Sequence, residues 1–244
     1  MKSDDSFLSD IPAVGFTGTT LVDYPGHMAS IIFLGGCDLR CPYCHNHTIF
    51  SIKKEMLIDP EELIQQMEKR KNFTEALCIT GGEPLLYNTL YPFIKYIRKK
   101  FSIKIKVDTN GLHPELLKKL LPLLDYVAVD IKAPPNDYEK LETPYDDTVK
   151  RIEKTRDFLE HSACITEYRT TVYPPIISDA SVLRKMEPFV PEKASWTLQQ
   201  FNPQNAFSAE AKKTETYKIN ELEKLCRQLQ KNFPEREILL RTSQ

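Results

Sequence analysis

Three of the six cysteines in the chain fall within one short stretch, Gly35-Gly36-Cys37-Asp38-Leu39-Arg40-Cys41-Pro42-Tyr43-Cys44-His45-Asn46, directly after the apolar run 29–34. An odd, local triplet builds no disulfide framework, so thiols crowded this closely point to metal. Three thiolates on a compact loop leave one coordination position open. Structural zinc is normally closed by four protein ligands, and an open position points to chemistry. An iron–sulfur cube wants a thiolate at each of its irons, so three cysteines would leave one iron able to bind a small molecule. The competing reading is a Cys3His zinc site completed by His45 or His47.

Further polar groups stand where apolar runs end. Gly81-Gly82-Glu83-Pro84 offers two glycines that let the backbone approach a ligand, and a carboxylate at Glu83 that could receive an ammonium group. As a bare dipeptide, Gly-Gly is a turn in most proteins. Asp108-Thr109-Asn110-Gly111 reads as an ordinary turn with capping side chains, and Asp130-Ile131-Lys132 as a surface ion pair. Arg169 lies inside an apolar run, where a guanidinium is costly unless it reaches an anion; that anion is either a ligand or a structural carboxylate. Gln199, Gln200 and Asn202 supply polar groups at another such end. His27, His113 and His161 show no partner pattern, and Arg98-Lys99-Lys100 reads as a solvated helix end.

Elements that must position these groups alternate regularly along the chain. Residues 14–26 mix β-formers with turn residues and predict a hairpin or edge strand. Strands are expected at 30–34, 76–80, 103–109, 126–131, 167–172 and 196–201, with amphipathic helices at 60–70, 90–100, 114–121, 147–160 and 179–190. Asp59-Pro60-Glu61-Glu62 is a strong helix start, with an N-cap, a proline at the first position and an acidic first turn. Six β/α repeats with short connections imply parallel strands and right-handed crossovers. Six units fall short of the eight that close a full barrel, so the expected fold is α/β, a partial (β/α)6 TIM barrel. A helix at 216–232 and a strand at 237–240 finish the chain. No linker divides it, so residues 1–244 are expected to form one domain, with lead-in 1–28 and C-terminal extension 204–244.

Cys-x3-Cys-x2-Cys with an aromatic residue before the last cysteine resembles the cluster motif of the radical S-adenosylmethionine enzymes. That resemblance implies a [4Fe–4S] cluster on Cys37, Cys41 and Cys44, with Tyr43 beside the adenine of S-adenosylmethionine. Gly81, Gly82 and Glu83 match the motif that contacts the amino group of that cofactor. Tyr43-Cys44-His45-Asn46, Asp108-Thr109-Asn110-Gly111 and Asp130-Ile131-Lys132 together resemble the narrower group of glycyl-radical enzyme activating enzymes. There Lys132 would help bind the methionine carboxylate, while Asp108, Thr109 and Asp130 would surround a monovalent cation. Asn46, Asp108 and Arg169 complete the implied cofactor set, Arg169 facing either S-adenosylmethionine or an incoming peptide. The lead-in from Gly15 to Gly26 resembles one branch of the anaerobic ribonucleotide reductase activases. The implied partners are a glycyl-radical enzyme of that kind and a low-potential reductant, flavodoxin or ferredoxin. A radical enzyme acting on a small molecule such as a deazapurine precursor is the alternative within the superfamily, and a non-catalytic zinc module the alternative outside it.

Composition sets the outer bounds. A chain of 244 residues suits one α/β domain, burying roughly 70–75% of its unfolded surface. A net charge of −1 with 27% charged residues favours neither nucleic acid nor an anionic membrane. The start Met1–Asp5 lacks the apolar core of a secretory signal, and no apolar run reaches the 18 or so residues of a membrane helix. Cys78, Cys164 and Cys226 are scattered singly and fit reduced thiols in a cytoplasmic protein. No ferredoxin-like insertion separates Cys44 from Asp59, so the resemblance is to the shorter activases.

Overall fold

The computed structural model describes residues 6–242. They form two compact units through which the chain weaves several times. Residues up to 37, 48–109 and 115–127 make the first; residues 38–47, 110–114 and those from 128 onward make the second.

In the first unit, β1 (Ala13–Thr20) runs antiparallel to β2 (Ala29–Leu34), pairing Thr20 with Ala29 and Ala13 with Leu34. Residues 14–26 thus carry one edge strand and the turn into β2, one of the two expected arrangements. Parallel pairing then carries β2 to β3 (Ala76–Gly81) and β3 to β4 (Lys104–Thr109). These strands are near-continuous apolar runs because both faces are covered: Ala76, Leu77, Cys78 and Ile79 are all buried. Helix α1 (Pro60–Glu68) starts where expected, Asp59 accepting from the amides of Glu61 and Glu62. Helix α2 (Leu90–Phe101) buries Leu90, Phe93, Ile94 and Ile97, one stripe at 3.6-residue spacing. Its basic end is not simply solvated. Arg98 donates to the Leu123 carbonyl at 2.9 Å and to Asp125 at 2.7 Å, and Lys100 pairs with Glu68 at 3.0 Å.

Helix α3 (Pro114–Leu120) follows β4, and β5 (Tyr126–Asp130) takes the chain into the second unit. There α4 (Thr148–Glu160) precedes β6 (Ile165–Val172), which begins two residues before the expected start. Helix α5 (Ala180–Met186) is shorter than expected; Pro188 removes an amide donor, and Glu187–Phe189 tighten into a 3-10 turn. Strand β7 (Ser195–Gln200) lies parallel to β6 and to β8 (Ile238–Arg241), with α6 (Ile219–Asn232) packed against β7 and β8. Fully buried Trp196 donates its indole N–H to Thr170 in β6 at 3.0 Å. A 3-10 stretch at Pro135–Leu141 has no counterpart in the sequence-based expectation. Met1–Asp5 lie outside the described residues, and Ser6–Asp10 form a 3-10 helix packed against α2. Among the described residues, no helix is long and apolar enough to cross a membrane.

Two measurements check this packing. Trp196→Ala should cost about 3–5 kcal/mol in urea unfolding, because it empties a buried site and removes the indole hydrogen bond to Thr170. Asp179 caps α5 through Ser181, and hydrogen bonds from Ser181 and Ser178 hold its carboxyl down at about 2. A depressed carboxyl stabilises the fold above its unfolded pKa of about 3.9 and loses that contribution as pH falls. The stability gap between wild type and Asp179→Ala should therefore be full above about pH 4 and close towards pH 2.

Candidate active site

In the first unit, β2 ends at Leu34, and Gly35 and Gly36 lead to Cys37. The Tyr87 hydroxyl donates to the Gly35 carbonyl at 2.7 Å. From the end of β3, the Gly82 amide donates to Leu34 O and the Glu83 amide to Gly36 O, each at 2.8 Å. The two loops are so close that a Cβ on Gly82 would collide with the Gly36 carbonyl. Gly81 has φ +116°, and a Cβ there would stand 2.5 Å from Leu34 O. Sequence reasoning assigns these glycines to the approach of a ligand. The structure gives them a prior duty, the backbone contact that fixes the chain just before Cys37.

Glu83 is fully buried, its Oε1 accepting from the Leu85 amide at 2.9 Å and from the Thr109 hydroxyl at 2.8 Å. Two motifs far apart in sequence are thus joined at the strand ends. Asp108 meets the ammonium of buried Lys106 at 3.2 Å; that ammonium also donates to Asp23 O at 2.6 Å and lies 5.1 Å from the Tyr126 ring centre.

The second unit holds the other two cysteines. Cys41 is buried and Cys44 partly so, and the Cys44 amide donates to Cys41 O at 3.0 Å. Buried Tyr43 stacks at 5.2 Å on Tyr173 and donates its hydroxyl to the Lys132 carbonyl at 3.1 Å. The Lys132 amide in turn donates to the Tyr138 hydroxyl at 3.2 Å. Asp130 accepts from Arg169 Nε at 2.8 Å and from Lys132 Nζ at 3.3 Å. For Arg169 the nearby anion is therefore a structural carboxylate.

Electrostatics follow from burial and these pairs. Burial pushes the Cys41 thiol up to about 12, while the Lys132 ammonium opposes the shift. Cys44 is raised by burial too, against Lys132 and a hydrogen bond from the Asn46 amide. Burial alone would raise Asp130, yet Arg169 and Lys132 bring it down to about 2. Lys132 is held well above its ordinary value because Asp130 and the neighbouring thiols outweigh its desolvation. A metal must therefore displace protons from these cysteines, and Lys132 lowers that cost.

Three soft thiols suit an iron–sulfur cluster. The zinc alternative would need a fourth protein ligand from His45 or His47. His45 Nε2 lies 2.8 Å from Asn202 O, a carbonyl that only accepts, so that nitrogen carries its proton. The side chain of Asn46 is exposed, and Gln200 donates to Tyr217 O at 3.0 Å as part of the packing. Sequence reasoning missed Lys106, Tyr138, Tyr173 and the partner of His113; Tyr173 meets Tyr43 and His113 meets Asp38 only across long separations. Only Lys106, a charge inside an apolar strand, carried a signal.

The profile of the Radical SAM superfamily matches residues 31–183, and the chain belongs to that superfamily. MJ1227 of Methanocaldococcus jannaschii, whose name places it provisionally among glycyl-radical enzyme activating enzymes, is 32% identical over 216 residues, covering 86% of this chain and 88% of that protein. The pyruvate formate-lyase-activating enzyme of Clostridium pasteurianum is 30% identical over 142 residues, 54% of this chain and 59% of its own. In structure the chain is similar to QueE from Escherichia coli, with a TM-score of 0.59 at 15% identity over 100% of both chains. The fold is the expected α/β partial barrel, a mostly parallel sheet that does not close.

Gly82→Ala should destabilise the protein by more than about 2 kcal/mol, since backbone and not a flexible side chain must move. Gly15→Ala, whose new methyl would meet the Phe33 side chain at 3.2 Å, should cost less, as read by thermal unfolding.

Proposed function

We propose that this protein is a radical S-adenosylmethionine activase that removes a hydrogen atom from a glycine of a separate glycyl-radical enzyme. The observation that carries the reading is the Cys37-x3-Cys41-x2-Cys44 loop in a chain alike over most of its length to MJ1227. When bound, the [4Fe–4S] cluster and S-adenosylmethionine supply the electron and the carbon-centred radical that the chemistry needs.

The chain's own residues bind and orient. Cys37, Cys41 and Cys44 are the cluster ligands. The Lys132 ammonium favours the thiolate forms of Cys41 and Cys44 and offers a cation to the methionine carboxylate. Tyr43, held by Tyr173 and the Lys132 carbonyl, gives a buried aromatic face for adenine. Gly81 and Gly82 present backbone, and Glu83 a dry carboxylate, towards the cofactor's amino group. Asp108 and Asn46 complete the cofactor set. Arg169 acts on it through Asp130, which it holds ionised. A monovalent cation at Asp108, Thr109 and Asp130 would compete with Lys106 and Arg169 for the two carboxylates.

The partner favoured by the Gly15–Gly26 lead-in is an anaerobic ribonucleoside-triphosphate reductase, with flavodoxin or ferredoxin as reductant, in the cytoplasm. Reconstituted anaerobically, the protein should hold about four irons, and Cys41→Ser should hold clearly fewer. Mixed with reductant, S-adenosylmethionine and the reductase, it should produce a glycyl radical doublet in electron paramagnetic resonance. Absence of the doublet with every candidate partner, alongside 5′-deoxyadenosine formed with a small metabolite, would reject the activase reading. Lys132→Met should weaken S-adenosylmethionine binding at least about tenfold in equilibrium titration, since a charge-assisted contact is lost.

A further inference from the structure

The residue after the first cysteine is held on both carboxylate oxygens. Asp38 Oδ1 accepts from Asn110 Nδ2 at 2.7 Å, and Oδ2 lies 2.8 Å from His113 Nε2, whose proton it takes as a hydrogen bond. The side chains of Asp38 and His113 are only 6% and 15% exposed, so water competes poorly for either bond. The turn that supplies the donors is itself anchored. Asn110 Oδ1 accepts from the Leu112 amide at 3.0 Å, Thr155 donates to Gly111 O at 2.8 Å, and Arg151 donates to Leu112 O at 3.1 Å, the latter two from α4. Tyr145 meets His113 edge-on at 5.9 Å and carries the Arg151 guanidinium 4.0 Å from its ring centre. A continuous set of contacts thus runs from a regular helix, through the 110–113 turn, to the loop between two cysteines.

The rest of that loop is held by backbone bonds and by the burial of Leu39 and Tyr43. Its Arg40 amide donates to Leu141 O at 2.8 Å, and its Pro42 carbonyl accepts from the Ser208 amide at 2.9 Å. These are single neutral backbone bonds, worth about 1 kcal/mol each, whereas a doubly held carboxylate makes two charge-assisted ones, each about twice as strong. Asp38 therefore anchors the segment from 38 to 44 through two charge-assisted bonds, beside the burial of Leu39 and Tyr43.

We propose that His113 and Asn110 are positioning residues that clamp Asp38 and order the Cys37–Cys44 loop before any metal arrives. The clamp confines the backbone of the loop, so cluster assembly meets a formed site and the entropic cost of ordering it is already met in folding. The inference rests on reading this loop as the cluster site, but its first consequence needs no cluster.

The test compares full-length wild type with His113→Ala and His113→Gln, metal-free and after anaerobic reconstitution. Gln places a donor amide near the position of Nε2. By hydrogen-exchange mass spectrometry of the metal-free protein, His113→Ala should exchange the amides of 39–44 about tenfold or more faster, with protection in β2, β3 and α2 unchanged. His113→Gln should restore protection towards wild type. After reconstitution, iron content and the reduced-cluster resonance spectrum should change in His113→Ala and recover in His113→Gln. Unchanged exchange at 39–44 in His113→Ala, or protection lost equally across the chain, would overturn the proposal. If His113→Ala does not fold, Asp38→Asn, which keeps one acceptor oxygen, gives the same readout. Should wild type take up no iron, the cluster reading fails, while the exchange result still decides the clamp.

Discussion

The carbonyl of Gly36 is the point on which the first unit's loops depend. It accepts the Glu83 amide, and Gly82 stands so close above it that no side chain can be tolerated there. Through that contact the turn after β3 fixes the turn after β2, and hence the backbone that enters Cys37. Buried Glu83 extends the same arrangement to Thr109 at the end of β4. A radical reaction needs groups held from several strand ends at once, and here the holding is done by backbone, where geometry is stiffest.

Charge is arranged with comparable economy in the second unit. One carboxylate, Asp130, sits between a guanidinium and an ammonium, and remains ionised despite its burial. It keeps Lys132 protonated next to thiols that burial would otherwise keep neutral. Asp130 itself opposes the thiolates of Cys41 and Cys44, while the ammonium it holds at Lys132 favours them.

Much of this was legible in the sequence. The strands were visible as apolar runs because parallel strands are covered on both faces, and α1 announced itself through Asp59 and Pro60. The cysteine spacing and the Gly-Gly-Glu-Pro turn fell at strand ends, where β/α folds place function. What stayed hidden was pairing across long separations. His113 showed no local pattern because its partner is 75 residues away, and Arg98 looked solvated because Asp125 lies beyond the next strand and helix. The 3-10 stretch 135–141 lacked helical periodicity, and Tyr138 found its use only against the Lys132 amide. The contact of Gly82 with the Gly36 carbonyl was also hidden, since composition cannot say which backbone comes near.

The central claim is that three cysteines hold an iron–sulfur cube with one iron left to the cofactor. Mössbauer spectroscopy of the chain reconstituted with ⁵⁷Fe addresses it directly. On adding S-adenosylmethionine, one iron site should separate from the others, with higher coordination and a larger isomer shift. A cluster spectrum that the cofactor leaves unaltered, or a preparation that binds a single zinc and no cluster, would contradict the claim.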